Sequence, residues 1–318
     1  MHGCPYLTKI RGRRPSIHTG SRGRNVLETQ GYTPGSRGRN VLETQGYTTG
    51  SIMTDMETAS LLQEASRRIG ANESFQVDGF PGLKAWLQGQ WTAAVGQDPG
   101  TTAAVASWFD RLYEKHTEPQ RHYHTVVHLW EMLQYVEALE KSQTLAAAVI
   151  SNQESTAKLG CILRLATFFH DAIYDPKSAK NEVASAELFD DFCRDVCMEE
   201  TTKIQVRTLI LATEKHQVMT TMEGSVDPIL QQHFLDIDMA VLGKDATAYL
   251  AYAAVIRKEY AHVPRELYCE KRAEILQGFC HGRIFLSETF HELLEERAEK
   301  NLKAEIVLLN SGVIPGES

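Results

Sequence analysis

"RHYHTVVHLWEMLQYVEAL", Arg121–Leu139, sets three of the chain's twelve histidines within seven residues. Leu129, Met132, Leu133, Val136 and Leu139 then recur at intervals of three and four, the period of a helix with one apolar face. His124 and His128 stand four apart near its start, so on a helix their rings are neighbours. Two neutral imidazoles gain little from that contact, and two charged ones repel. A metal ion or an anion beside them would give the pair a reason.

The same helical period runs through most of the chain from about residue 57 onward, and strand signals are nearly absent. Residues 157–171 are apolar almost all round, which marks a buried helix. Asn181 is suited to cap a helix carrying Val183, Leu188, Phe189 and Phe192. Further helices are expected over 201–216, 244–262, 265–280 and 287–309, with Pro264 suiting the first turn of its own. Residues 75–100 are glycine-rich and give no clear element. The expected fold is all-α: one helical domain over 57–312.

At 318 residues, with 42% hydrophobic and 23% charged residues, the chain can bury a sizeable core. A net charge of -8 argues against a nucleic-acid partner. It does not argue against a small phosphorylated substrate, for which one local basic pocket suffices. No apolar run reaches the roughly 18 residues of a membrane span, so no membrane partner is expected, while an oligomer stays open. The six cysteines include no CxxC pair. Cys193 and Cys197 are one turn apart, a spacing for packing, and the set reads as a reducing, cytoplasmic compartment.

The first fifty residues are different material. "GSRGRNVLETQGYT" occurs at 20–33 and again, letter for letter, at 35–48. The unit offers too few apolar side chains to offset its ordering entropy, so residues 1–52 are expected to be a disordered, duplicated tail. Residues 1–27 carry six Lys or Arg and no acid. That is the composition of a mitochondrial presequence, without the amphipathic helix that goes with one.

Within the apolar run "LATFFHDAIYD", His170 and Asp171 are costly unless partnered. "FLDIDMAVLG" raises the same question at Asp236 and Asp238. Alone, the His-Asp dipeptide would be a solvated helix end. With His128 upstream and an aspartate downstream, it completes a mixed nitrogen and oxygen set suited to a divalent cation: Zn, Mn, Fe or, less readily, Mg.

"RHYHTVVH", "FFHDAIYDPKSAKNEVASA", "LILATEKH", "FLDIDMAVLG", "IRKEYAHVP" and "EERAEKNLKAEI" occur in that order over about residues 85–310. Together they resemble the HD superfamily of metal-dependent phosphohydrolases, and within it a subfamily of predicted phosphohydrolases. The resemblance implies an HD-type helical bundle holding one or two divalent ions on His128, His170, Asp171 and Asp238. It leaves Asp236 as a supporting residue or an alternative ligand. "YHTVVHLWEM" is also similar to a segment of class I cyclic-nucleotide phosphodiesterases, in which the first histidine donates a proton to the leaving oxygen and the second binds metal. That carries a general-acid role to His124 and a ligand role to His128. Thr125 and Glu131 depart from that pattern, which puts the cyclic-nucleotide substrate in doubt. Glu182 is a candidate supporting base, or a first-turn acid favoured by the helix dipole.

His216 is a second-metal or phosphate contact, or a cation at a helix C-terminus. Lys177, Lys180, Arg257, Tyr260 and Arg272 are candidate substrate contacts, although surface cations more often serve as solvated faces or ion pairs. His122, His233, His262 and His281 read as structural. The implied activity is hydrolysis of a small phosphate ester, with a nucleotide as the first candidate. A di-iron HD-type oxygenase, which would use extra histidines such as His216 and His233, is one alternative. A catalytically silent ligand-binding module is another.

Overall fold

A computed structural model describes residues 49–70, 81–96, 102–142, 155–219 and 226–317. Eleven α-helices and no strand occur among them, so the fold is all-α as the periodicity predicts. They are α1 (Thr49–Gly70), α2 (Leu83–Val95), α3 (Thr102–His116), α4 (Val126–Lys141), α5 (Thr156–Phe169) and α6 (Asn181–Asp195). There follow α7 (Glu200–Ala212), α8 (Pro228–Met239), α9 (Ala246–Glu259), α10 (Arg265–Cys280) and α11 (Glu288–Asn310), with a 3₁₀ turn, Ala240–Gly243, after α8. The duplicated segments lie outside the described residues, and α1 begins at Thr49, inside the expected tail of 1–52. No single helix among the described residues is long and apolar enough to cross a membrane.

The centre of the bundle is α5, against which α2, α4, α6 and α7 pack. Every residue from Ile162 to Phe169 is buried, as a helix apolar on all sides requires. Trp91, Trp108, Phe168, Phe169, Phe189 and Phe192 form an aromatic cluster on it, with Trp91 edge-on to Phe168 at 5.3 Å between ring centres. The one cation in this stretch, Arg164, is buried and forms a two-pronged pair with Glu140 of α4, while its Nε donates to Gln90. Gly160 leaves room for that pair: a Cβ there would fall 1.8 Å from Glu140 Oε1 and displace the carboxylate.

Three local expectations need correction. Asn181 is the first residue of α6 rather than its cap, and Lys180 precedes it without a capping side chain. The Asn181 amide instead brackets the backbone of Asp175, accepting from its N–H at 3.1 Å and donating to its carbonyl at 2.9 Å. Val183, placed on the apolar stripe, is exposed. The helix expected over 201–216 stops at Ala212, and the chain turns until His216, which adopts a left-handed φ of 48°. The glycine-rich 75–100 region contains α2 within its described part. Cys193 and Cys197 are both free thiols, as their spacing suggests.

Candidate metal centre

The site forms where three helix ends meet. Thr125 caps α4, accepting from the Val127 N–H at 3.2 Å. That fixes the start of the helix, and with it His124 just outside and His128 within the first turn. Helix α5 ends at Phe169, and the turn that follows delivers His170 and Asp171. Asp238 comes from the last turn of α8.

Asp238 is the hub. Its Oδ1 lies 3.2 Å from His128 Nε2 and 3.6 Å from His170 Nε2, and its Oδ2 lies 3.0 Å from His216 Nε2. His170 Nε2 is also 3.1 Å from Asp171 Oδ2. His128, His170 and Asp238 each offer one ligand atom, and the three atoms lie within 4.8 Å of one another. The left-handed backbone of His216, strained for a residue with a Cβ, turns its ring back toward Asp238.

The donor set fits a divalent cation. His170 Nδ1 donates to the Thr167 carbonyl at 2.8 Å, which leaves Nε2 as the free ring atom. That atom is fully buried, faces two carboxylates and makes no well-formed hydrogen bond. A bare lone pair cannot rest against two anions, so a cation belongs there, either a proton or a metal ion. Burial disfavours the charged imidazole, yet Asp171 and Asp238 outweigh it and hold the His170 pKa well above its usual value. Burial likewise opposes ionisation of Asp171 and Asp238. The facing imidazoles prevail, and both carboxyls stay below the usual carboxylate range. The described residues therefore contain a buried His128–His170–Asp238 group able to hold a metal ion, with Asp171 and His216 at its edge.

Asp236 does not join it. Two residues on a helix are about 200° apart, so Asp236 faces away from Asp238. Its carboxylate accepts from the N–H groups of Leu286 and Ser287 at 2.6 and 2.7 Å and from the Ser287 hydroxyl at 2.5 Å. It anchors the loop before α11. Burial pushes its pKa up to about 6 even against those bonds.

His124 stands beside the metal group, held from behind. Its Nδ1 donates to Glu259 Oε2 at 2.7 Å, and its Nε2 lies 3.9 Å from Asp171 Oδ2. Glu259 is fully buried; its Oε1 accepts the N–H groups of His122, Tyr123 and His124, and Tyr174 donates to its Oε2 at 2.8 Å. Tyr174 also stacks on the His124 ring at 4.2 Å. Burial works against the Glu259 charge, but His124 and the three N–H groups bring its pKa down to about 2. Burial also pulls the His124 pKa down, and Glu259 more than reverses this. Arg121 completes the frame by donating to the carbonyls of His124, Asp171 and Ala172.

A cleft opens beside Asp238. His216, Tyr123, Tyr252 and Arg272 line it, and the exposed Lys215 stands at its mouth. The structure thus brings together His124, His128, His170, Asp171, His216 and Asp238, with Arg272 on the cleft wall. The other expected substrate contacts fare differently. Lys177 and Lys180 are exposed on the loop before α6. Arg257 is used structurally, pairing with Glu317 at 2.6 Å and donating to the carbonyls of Tyr260 and Val263. Tyr260 is buried at the end of α9. Arg272 is buried and paired with Glu305 at 3.0 Å. Glu182 is buried in the first turn of α6.

Sequence reasoning missed Glu259, Tyr174 and Arg121. Glu259 had a signal: Tyr252, Ile256 and Glu259 follow the four-and-three spacing of a buried stripe, and an acid in that stripe needs a partner. His233 is engaged elsewhere, donating from Nδ1 to the Ile229 carbonyl at 2.8 Å and packing on Phe290. Comparison with protein-family models, with curated proteins and with solved structures finds no match to this chain.

Proposed function

We propose that the protein is a metal-dependent phosphohydrolase acting on a small phosphate ester. The observation that carries this reading is the buried convergence of His128, His170 and Asp238, with a carboxylate-backed imidazole, His124, standing clear of that group beside Asp171. His128, His170, Asp171 and Asp238 would hold the ion, and His216 is placed to assist. A bound divalent ion supplies activated water near neutral pH and neutralises charge on a phosphoryl group.

The protein's own residues divide the remaining work. Glu259 accepts the Nδ1 proton of His124, so the proton on Nε2 is the one that can be given away. That proton goes to the leaving oxygen as the ester bond breaks. The Glu259 carboxylate and the Tyr174 ring hold the imidazole at one angle, which spares the entropy of searching for it. Lys215 adds a positive charge at the mouth of the cleft, where an anionic ester enters. Imidazole and carboxylate donors together favour Mn, Fe or Zn over Mg.

His216 favours a second reading, because a third imidazole at Asp238 is what a di-iron oxygenase would need. Elemental analysis of the purified protein, followed by a panel of phosphate esters, tests both readings. Metal at one or two equivalents with phosphate release supports the hydrolase. Two irons with a mixed-valent resonance signal and no phosphate release would replace it with the oxygenase. Metal-free protein inert in Mn²⁺, Fe²⁺ and Zn²⁺ alike would leave a ligand-binding module.

A further inference from the structure

The lining of the cleft beside Asp238 has two chemically distinct sides. One side carries His216 and Asp238, the edge of the metal group. The other is walled by Met239 at the end of α8, by Val241 and Leu242 of the 3₁₀ turn, and by Ile275, Leu276 and Phe279 on α10. Among the described residues that line the cleft there is no serine, threonine, asparagine, glutamine or glutamate; its polar groups are the Tyr123 and Tyr252 hydroxyls, Lys215, His216, Arg272 and one carboxylate, Asp238, which is engaged by three imidazoles. Arg272 adds little net charge, because Glu305 grips its guanidinium through both carboxylate oxygens.

This lining is ill suited to a nucleoside. A base presents paired donors and acceptors along its edge and a ribose presents a diol, and polar groups buried without partners are costly. A hydrocarbon pays no such penalty and gains from contact with six apolar side chains. We infer that the substrate is a phosphate monoester of an uncharged, apolar alcohol, its phosphate at the metal group and its hydrocarbon between the 3₁₀ turn and α10. The inference rests on the phosphohydrolase reading for the word substrate, but the apolar subsite is a statement about binding and can be tested without turnover.

The test uses the full-length protein in Mn²⁺ and the monophosphates of ethanol, butanol and hexanol, with adenosine monophosphate as comparator. Leaving-group chemistry is nearly constant along the alkyl series, so a trend reports the wall. The expected result is a rise in kcat/KM of about fourfold per methylene, from the transfer of one CH₂ out of water, with hexyl phosphate well ahead of the nucleotide. The matching alkylphosphonates, which are not hydrolysed, should show the same trend in calorimetric affinity. Phe279→Asn, at a half-buried wall position, should shrink the hexyl-to-ethyl ratio in both series, and Met239→Gln should do the same if the first variant misfolds.

A flat alkyl trend in turnover and in phosphonate binding, or a preference for adenosine monophosphate over hexyl phosphate, would overturn the inference while leaving the hydrolase reading intact. A rising phosphonate trend that Phe279→Asn flattens, with no ester hydrolysed, would uphold the apolar subsite and remove the hydrolase reading.

Discussion

Glu259 grips His124 across 135 residues of sequence, Oε2 to Nδ1 at 2.7 Å, inside the protein. The pair fixes which ring nitrogen faces Asp171, so loss of the ring and loss of its support should differ. His124→Ala should retain bound metal. It should lose about 10²–10⁴-fold in rate on an alkyl phosphate, the range of lost general acid help. A nitrophenyl ester, whose leaving group needs little protonation, should suffer far less. Equal losses on both esters would assign His124 to binding instead.

Asp238 and Asp236 are two residues apart with opposite duties. Asp238→Ala should abolish stoichiometric metal, because the carboxylate shared by three imidazoles is gone. Asp236→Ala should keep the metal and destabilise the fold, since each buried N–H it strands costs about 1–3 kcal/mol. Metal analysis and urea unfolding of the two variants separate the effects. Metal lost from Asp236→Ala with stability unchanged would reverse the assignment.

Glu131 and Lys244 form a buried pair next to the metal group, Glu131 one turn beyond His128. Breaking such a pair from one side strands a charge. Glu131→Met and Lys244→Met should each cost about 3–5 kcal/mol, whereas the double variant should cost much less than their sum. Additive losses in chemical denaturation would show that the two charges do not depend on each other.

Burial lowers the pKa of His233, which the bond to Ile229 offsets only in part, and burial together with Arg121 lowers that of His116 further. For both, the unfolded chain takes up protons near the ordinary histidine value, about 6.5, before the folded chain does. The unfolded state then binds more protons, so stability should fall as pH drops below that value, by at most about 1.4 kcal/mol per pH unit for each group. His233→Leu should flatten the dependence of the urea midpoint between pH 7.5 and 5.5. An unchanged slope would mean that His233 titrates normally.

The helices were legible because their cores are: Leu129, Met132, Leu133, Val136 and Leu139 announce α4 by spacing alone. The ligand candidates were legible because charge inside an apolar run is costly, as at Asp171 and Asp238. What the sequence hid were partnerships between distant segments. Arg257 and Arg272 looked like free cations because Glu317 and Glu305 lie 60 and 33 residues away. Glu259 was missed for the same reason in reverse. Resemblance aside, Asp236 and Asp238 could be told apart only once their stretch was known to be helical to Met239, since on a strand they would have shared a face.

Arg121 donates to the His124 carbonyl at 3.0 Å and to the Asp171 and Ala172 carbonyls at 2.8 and 3.1 Å. Two loops that meet only in the folded state are thus fastened by one side chain through their main chains. Neither can swing open without breaking the other's bonds. The segment bearing His124 and the segment bearing His170 and Asp171 form one cooperative unit, and the amides of His124 and Ala172 should exchange with deuterium through a single shared opening.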